Sequence, residues 1–197
     1  MLCDTGVRPD VIVLPKTESA EEINILNQQL TPNLIPIIAL IETAKGISQS
    51  EHIAKAPNVC GIVFGGGDLA ADLGATMDWE PMYAPRAQIV RAAAIAGIAA
   101  IDVLYLNLHG LNNSAIMDET KRVKAMGFAS KFAIHPKHIK PILDVFTPTQ
   151  EEIEKAKKLV SAFSNAHGNV CEVDGKMVDV PIFRSAQRIL KSAKISI

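Results

Sequence analysis

The sequence predicts an α/β fold built on parallel strands, and three features point to it. Five short runs, Val11 to Leu14, Ile37 to Ile41, Gly61 to Phe64, Ala99 to Tyr105 and Phe132 to Ile134, are rich in Val and Ile and apolar at nearly every position, as strands buried on both faces are. Helical patterns separate them, and a parallel connection needs a crossover of about a dozen residues. Polar residues stand where the strands end: Lys16, Glu42, Asp68 and His135. Strand and helix in alternation leave two architectures, an open doubly wound sheet or part of a closed barrel. Five strands are too few to close an eight-stranded barrel.

The elements follow in order. After the first strand, Ser19 and Glu22 form a capping box that opens a helix carrying Ile23, Leu26 and Leu30 at helical spacing. Pro85 to Ile95 is an Ala-rich helix, and Asn113 or Ser114 caps one with Ile116, Thr120 and Val123 on a single face. The C-terminal part changes character. Thr149 and Glu152 make a second capping box ahead of Ile153, Ala156, Val160 and Phe163, Asp174-Gly175 is a two-residue hairpin turn signal within Val170 to Val178, and Pro181 begins a last helix. Residues 1–147 are therefore expected to form the strand-and-helix domain and 148–197 an appended lid or oligomerisation segment.

Composition narrows the function. The chain has 197 residues, 48% of them hydrophobic, with a formal net charge of -1 and its Lys and Arg scattered, so it buries a core and offers no electrostatic footprint for nucleic acid. Cys3, Cys60 and Cys171 are odd in number and far apart, unlike zinc ligands or a disulfide framework, and suggest reduced thiols in the cytoplasm. The start lacks the basic and apolar regions of a secretory signal. The longest apolar run, Ala92 to Ile101, falls far short of the roughly 20 residues of a membrane span. The expected partner is a small molecule.

Two carboxylates at the ends of adjacent parallel strands, Glu42 in IALIET and Asp68 in VFGGGDLAADLG, project into one mouth about 5 Å apart at backbone level. Magnesium is commonly held by one or two carboxylates and keeps its other positions for water and substrate oxygens. Each acid alone also fits an ordinary solvated strand end. Gly65-Gly66-Gly67 lets backbone N–H groups approach an anion, but it matches neither a dinucleotide fingerprint nor a P-loop. His135-Pro136 fits a proton shuttle or, better, a histidine bonded to backbone; His52, His109, His138 and His167 are expected at the surface.

Taken together, VIVLPKTES, PIIALIETAKG, GIVFGGGDLAADLG, AAIDVLY, GFASKFAIHPKHI and GKMVDVPIFRSAQRIL resemble, in unbroken order, the citrate lyase beta subunit and malyl-CoA lyase family of the aldolase/citrate lyase superfamily. The resemblance implies a (β/α)8 TIM-barrel type, here incomplete with about five parallel strand-helix units and a C-terminal helical and hairpin lid. It implies a magnesium-dependent carbon-carbon lyase that cleaves a 3-hydroxyacyl-CoA of the citryl-, malyl- or citramalyl-CoA type to an acyl-CoA and a 2-keto acid. Glu42 and Asp68 would hold Mg2+, the backbone around Gly66, Gly67 and Asp68 would hold the keto-acid carboxylate, and Lys16, His135 and Pro136 would meet coenzyme A, which enters as part of the substrate. Asp179 in MVDVP would protonate the acetyl-CoA enolate in a neighbouring subunit, so a homo-oligomer of at least three copies, or a place in a larger lyase complex, is expected; Asp179 also suits a helix N-cap.

Two departures qualify the resemblance. Gly67 stands where many relatives carry an acid. Relatives also have a longer segment before VIVLPK, with three strands and an arginine for the substrate carboxylate, and Arg8 is not a credible substitute. The alternatives are a truncated, inactive remnant, a subunit whose barrel a partner chain completes, or a metal-dependent aldolase acting on free keto acids.

Overall fold

The computed structural model describes residues 8–103 and 113–193; Cys3, Tyr105, His109 and Asn112 lie outside them. The chain divides into two compact units, one ending at Ile142 and the other beginning at Leu143.

In the first unit, β1 (Ile12–Leu14), β2 (Ile37–Ile41), β3 (Val59–Phe64), β4 (Ala99–Val103) and β5 (Ser130–Phe132) form one parallel sheet in chain order. The crossovers carry α1 (Ala20–Leu30) after β1, the short α2 (Ala44–Ser48) and α3 (Ser50–Ala54) after β2, α4 (Gly66–Leu73) and α5 (Trp79–Ala96) after β3, and α6 (Asn113–Met126) after β4; α7 (Pro136–Phe146) follows β5. A doubly wound sheet reverses its strand order at a switch point. This one does not reverse, which is the winding of a barrel. Among the described residues the sheet is open, with β1 and β5 at its edges.

The order of burial explains the strands. Ile62, Val63 and Phe64 of β3 are consecutive and have no exposed surface, so that strand is covered on both faces, whereas β2 buries one face fully, with Ile37, Ala39 and Ile41, and leaves Ile38 and Leu40 on the other half-buried. At the β1 edge Val13 remains 41% exposed. The helices seal the layer through Ile23, Ile53, Leu69, Met82 and Ile89, all fully buried. At about 25 cal/mol per Å2 of apolar surface removed from water, this layer dominates the stability of the unit.

Local signals place the ends of the elements, with three corrections. Ser19 accepts from the Glu22 N–H, but the Glu22 carboxylate reaches the Glu18 N–H instead of closing the box on Ser19. Helix α5 begins at Trp79 after Asp78, not at Pro85, which lies inside it; the acceptor a residue there would use belongs to Pro81 in the first turn, so the lost bond costs one helical rung. Strand β5 lies two residues earlier than Phe132 to Ile134. Its Lys131 is buried while Ile134 is 41% exposed, because the Lys131 ammonium bonds Asp102 of β4 and Glu119 of α6. Arg86 of α5 donates from Nε to the same Asp102 at 2.9 Å and lies over the Phe64 ring. A buried charge survives only when paired, and here two cations meet two anions behind the end of β4.

The second unit contains α8 (Gln150–Asn165), the antiparallel hairpin β6 (Cys171–Val173) and β7 (Lys176–Val178), and α9 (Val180–Ser192). Thr149 and Glu152 form the complete capping box. Asp174 and Gly175 both have positive φ, 51° and 73°, as a two-residue hairpin turn of primed type requires. Ala156 of α8 packs on Ala186 and Leu190 of α9, and Phe163 stacks on Phe183 with ring centroids 4.7 Å apart. Among the described residues no helix is long and apolar enough to cross a membrane.

Candidate active site

Glu42 is the first residue after β2, and its surroundings fix it from three sides. The Gly65 N–H donates to the Ile41 carbonyl at 2.8 Å, continuing the ladder from β3. Thr43 caps α2 by accepting from the Gly46 N–H, which turns the chain away immediately beyond the acid. A Cβ at Gly65 would stand 2.6 Å from the Glu42 Cβ and 3.0 Å from its Oε2, so glycine is what leaves the carboxylate room beside β3.

Asp68 lies in the first turn of α4, which starts directly after β3 and has Gly65 as its N-cap with no side-chain capping bond. The first N–H groups of a helix lack intrahelical acceptors and carry its positive end. Gly66, Gly67 and Asp68 present that end beside the two carboxylates. A cavity of about 160 Å3 is lined by Leu40, Glu42, Gly65, Gly66, Gly67, Asp68, Met77 and Val103.

Lys16 joins the acids. It follows β1 in a left-handed conformation, φ 48°. Its backbone N–H donates to Glu42 Oε1 at 2.9 Å, and its ammonium lies 2.9 Å from Asp68 Oδ2. The next residue locks this turn: the Thr17 N–H bonds the Leu40 carbonyl at 3.0 Å and its hydroxyl donates to the Leu14 carbonyl. Burial pushes the Glu42 carboxyl above its ordinary value, the Lys16 N–H draws it back, and the Asp68 charge adds to the rise. The hydrogen bond and charge of Asp68 hold the Lys16 ammonium above its own ordinary value. Among the described residues no group of three or more His, Cys, Asp and Glu side chains is placed to hold a metal ion.

The other expected residues fall elsewhere. His135 and Pro136 do not line this cavity; His135 Nδ1 accepts from the Lys137 N–H at 3.1 Å, and Pro136 opens α7. His138 is not at the surface but 1% exposed, tilted against His135 with ring centroids 5.7 Å apart. Asp179, in the second unit, caps α9 by accepting from the Ile182 N–H at 3.1 Å. Arg8 donates to the Leu34 carbonyl. The grip of Lys16 on both acids has no signature in sequence spacing, since it depends on the strand order and on one left-handed residue.

This arrangement of acids and helix start, on consecutive strands wound in barrel order, has known counterparts. The family model "HpcH/HpaI aldolase/citrate lyase" matches residues 4–136, and a model described as "C-C_Bond_Lyase of the TIM-Barrel fold" matches residues 79–196. The chain belongs to the HpcH/HpaI aldolase/citrate lyase family. It is 32% identical to citrate lyase subunit beta of Haemophilus influenzae over 95% of the chain and 69% of that protein. It is 31% identical to the mitochondrial citramalyl-CoA lyase of Mus musculus, covering 95% of the chain and 61% of that enzyme. Among solved structures it superposes with a TM-score of 0.74 on CitE from Mycobacterium tuberculosis in complex with magnesium, acetoacetate and coenzyme A, with 29% identity over 94% of this chain and 68% of that one. The chain thus spans between 61% and 69% of the length of these family members.

Proposed function

We propose that this chain carries the metal-holding face of a magnesium-dependent lyase that cleaves a 3-hydroxyacyl-CoA of the citryl-, malyl- or citramalyl-CoA type into an acyl-CoA and a 2-keto acid. The observation that supports it is the pairing of Glu42 and Asp68 across one lysine at the start of α4. Two oxygen donors at a mouth where a cationic group already rests suit a hard divalent ion, with the remaining positions left to water and substrate. Glu42 and Asp68 are the residues that would hold it. Bound there, magnesium supplies Lewis acidity where negative charge develops on the keto-acid oxygens.

The chain's own residues account for the rest. The N–H groups of Gly66, Gly67 and Asp68 receive the keto-acid carboxylate at the positive end of α4. In cleavage the 3-hydroxyl gives up its proton to solvent water and its oxygen becomes the keto oxygen. The bond between C2 and C3 breaks, and its electron pair remains on C2 as the thioester enolate. Asp179 gives the proton that converts this enolate to the acyl-CoA, acting from the second unit of a neighbouring copy in a homo-oligomer of at least three chains. His135 and Pro136, beyond β5, face coenzyme A. The one-sided pairing of β1 and β5 favours a working assembly in which these edges are covered, since open parallel edges invite association.

The test is magnesium-dependent release of acetyl-CoA from citryl-, malyl- and citramalyl-CoA by the chain, repeated with Asp68→Asn. Release by the wild type that falls to background in the variant supports the reading. Equal release by both overturns the metal assignment.

A further inference from the structure

One feature of the candidate site is not explained by holding a metal. Lys16 is fastened at one end and loose at the other. Its main chain is pinned by its own N–H on Glu42 and by the two bonds of Thr17, whose side chain is fully buried. Its ammonium, by contrast, meets Asp68 in the open: the two side chains are 65% and 55% exposed. Exposed ion pairs of this kind hold weakly, and a lysine head on its four-carbon stem is free to rotate. The geometry is that of an anchored arm with a releasable hand.

We propose that Lys16 is a resident cation traded from Asp68 to the substrate: its ammonium rests on the acid until magnesium arrives, and then binds the carboxylate of the 2-keto acid. The inference rests on the lyase reading above and deepens it.

Magnesium sits about 2.0–2.1 Å from its carboxylate oxygens. If Asp68 held magnesium, an ammonium 2.9 Å from Asp68 Oδ2 would share one carboxylate with a doubly charged cation, and like charges at such separation repel. That repulsion would loosen the ammonium's hold on Asp68. Its anchored backbone keeps it at the same mouth. Of the other acids that act on it there, Glu42 and Asp72, the first would itself hold magnesium and the second already accepts the Ala44 N–H at 2.7 Å. A 2-keto acid lying across the N–H groups of Gly66, Gly67 and Asp68 brings in a new carboxylate within reach of the stem. A charge-assisted hydrogen bond to it is stronger than a neutral one. Metal uptake thereby arms the site for the anion, and the anion consumes the cation that magnesium displaced.

The trade has a signature that a structural clamp lacks, because its two halves move in opposite directions. Magnesium chloride is titrated calorimetrically into the full chain, and oxaloacetate is then titrated into the magnesium-saturated protein, for wild type, Lys16→Met and Lys16→Arg. Lys16→Met keeps the backbone bond to Glu42 and removes the charge. It is expected to bind magnesium about three- to tenfold more tightly, as relief of one exposed ion pair allows, and to bind oxaloacetate about tenfold or more weakly. Lys16→Arg, which restores the charge, is expected to return both toward wild type. Magnesium affinity in Lys16→Met that is unchanged or weaker, or oxaloacetate affinity that is unchanged or tighter, overturns the inference while leaving the lyase reading intact. A wild type that takes up no magnesium removes the reading and the inference together.

Discussion

A Cβ placed on Gly65 would lie 2.6 Å from the Cβ of Glu42. Gly65 has φ -96°, which alanine adopts without strain, so the demand for glycine here is one of space and not of backbone conformation. Gly65→Ala is expected to push the carboxylate out of the cavity. Magnesium affinity should fall by about tenfold or more, as when the support of a metal ligand is lost, and stability by about 1–3 kcal/mol, as for overpacking. Calorimetric titration and urea unfolding measure the two; unaltered magnesium binding would remove the steric role assigned to Gly65.

Glu42→Gln separates the cost of the site from its use. Because folding raises the Glu42 carboxyl above its ordinary value, the folded state binds the proton better than the unfolded one, and the penalty on the fold is absent at low pH and present once pH exceeds the raised value. Metal-free Glu42→Gln is therefore expected to melt higher than wild type at pH 7, with the difference closing as pH falls through the carboxylate range. Added magnesium should raise the melting temperature of wild type, by about 2.7 kcal/mol of stability at one hundred times Kd, and leave the variant unmoved. A variant that melts below wild type at pH 7 contradicts the burial argument.

Lys131 tests the buried charges behind β4. Lys131→Met leaves Asp102 and Glu119 short of the cation they share, and breaking a buried pair from one side costs about 3–5 kcal/mol. Urea unfolding followed by circular dichroism should register this loss. A change within about 0.5 kcal/mol, the range of ordinary surface substitutions, would mean the network carries little of the fold.

Asp179 has a visible role as the cap of α9 and a proposed one as proton donor, and two substitutions part them. Asp179→Ala removes the acceptor for the Ile182 N–H and is expected to cost about 1 kcal/mol. Asp179→Asn keeps an acceptor and should preserve the melting temperature, yet it has no acidic proton to give. Acetyl-CoA release that collapses in Asp179→Asn at unchanged stability supports the donor role; full activity in that variant ends it.

Much of this molecule was legible because its information is local. The runs at Ile37 to Ile41 and Gly61 to Phe64, the turn at Asp174-Gly175 and the box at Thr149 and Glu152 each speak through neighbours in the chain, and the structure forms all of them. Glu42 and Asp68 were legible as a pair because consecutive parallel strands deliver their ends to one side. What escaped depends on distant partners. Lys131 looks like a strand boundary until Asp102 and Glu119 neutralise it, and so the apolar pattern places β5 two residues late. His138 looks like a surface residue until α7 turns its ring inward. Nothing about the sequence near Lys16 announces positive φ, because only the hold on Glu42, Leu40 and Leu14 imposes it.

The sheet in chain order has a consequence for how the molecule comes into being. Lys16, Glu42, Gly65 and Asp68 all precede α5, and the strands that carry them are mutual neighbours. Synthesis delivers a chain from its N-terminus at about 5–20 residues per second. The ribosome has thus released Lys16, Glu42, Gly65 and Asp68 before it begins the second unit, so the contacts among them need nothing from that unit in order to form.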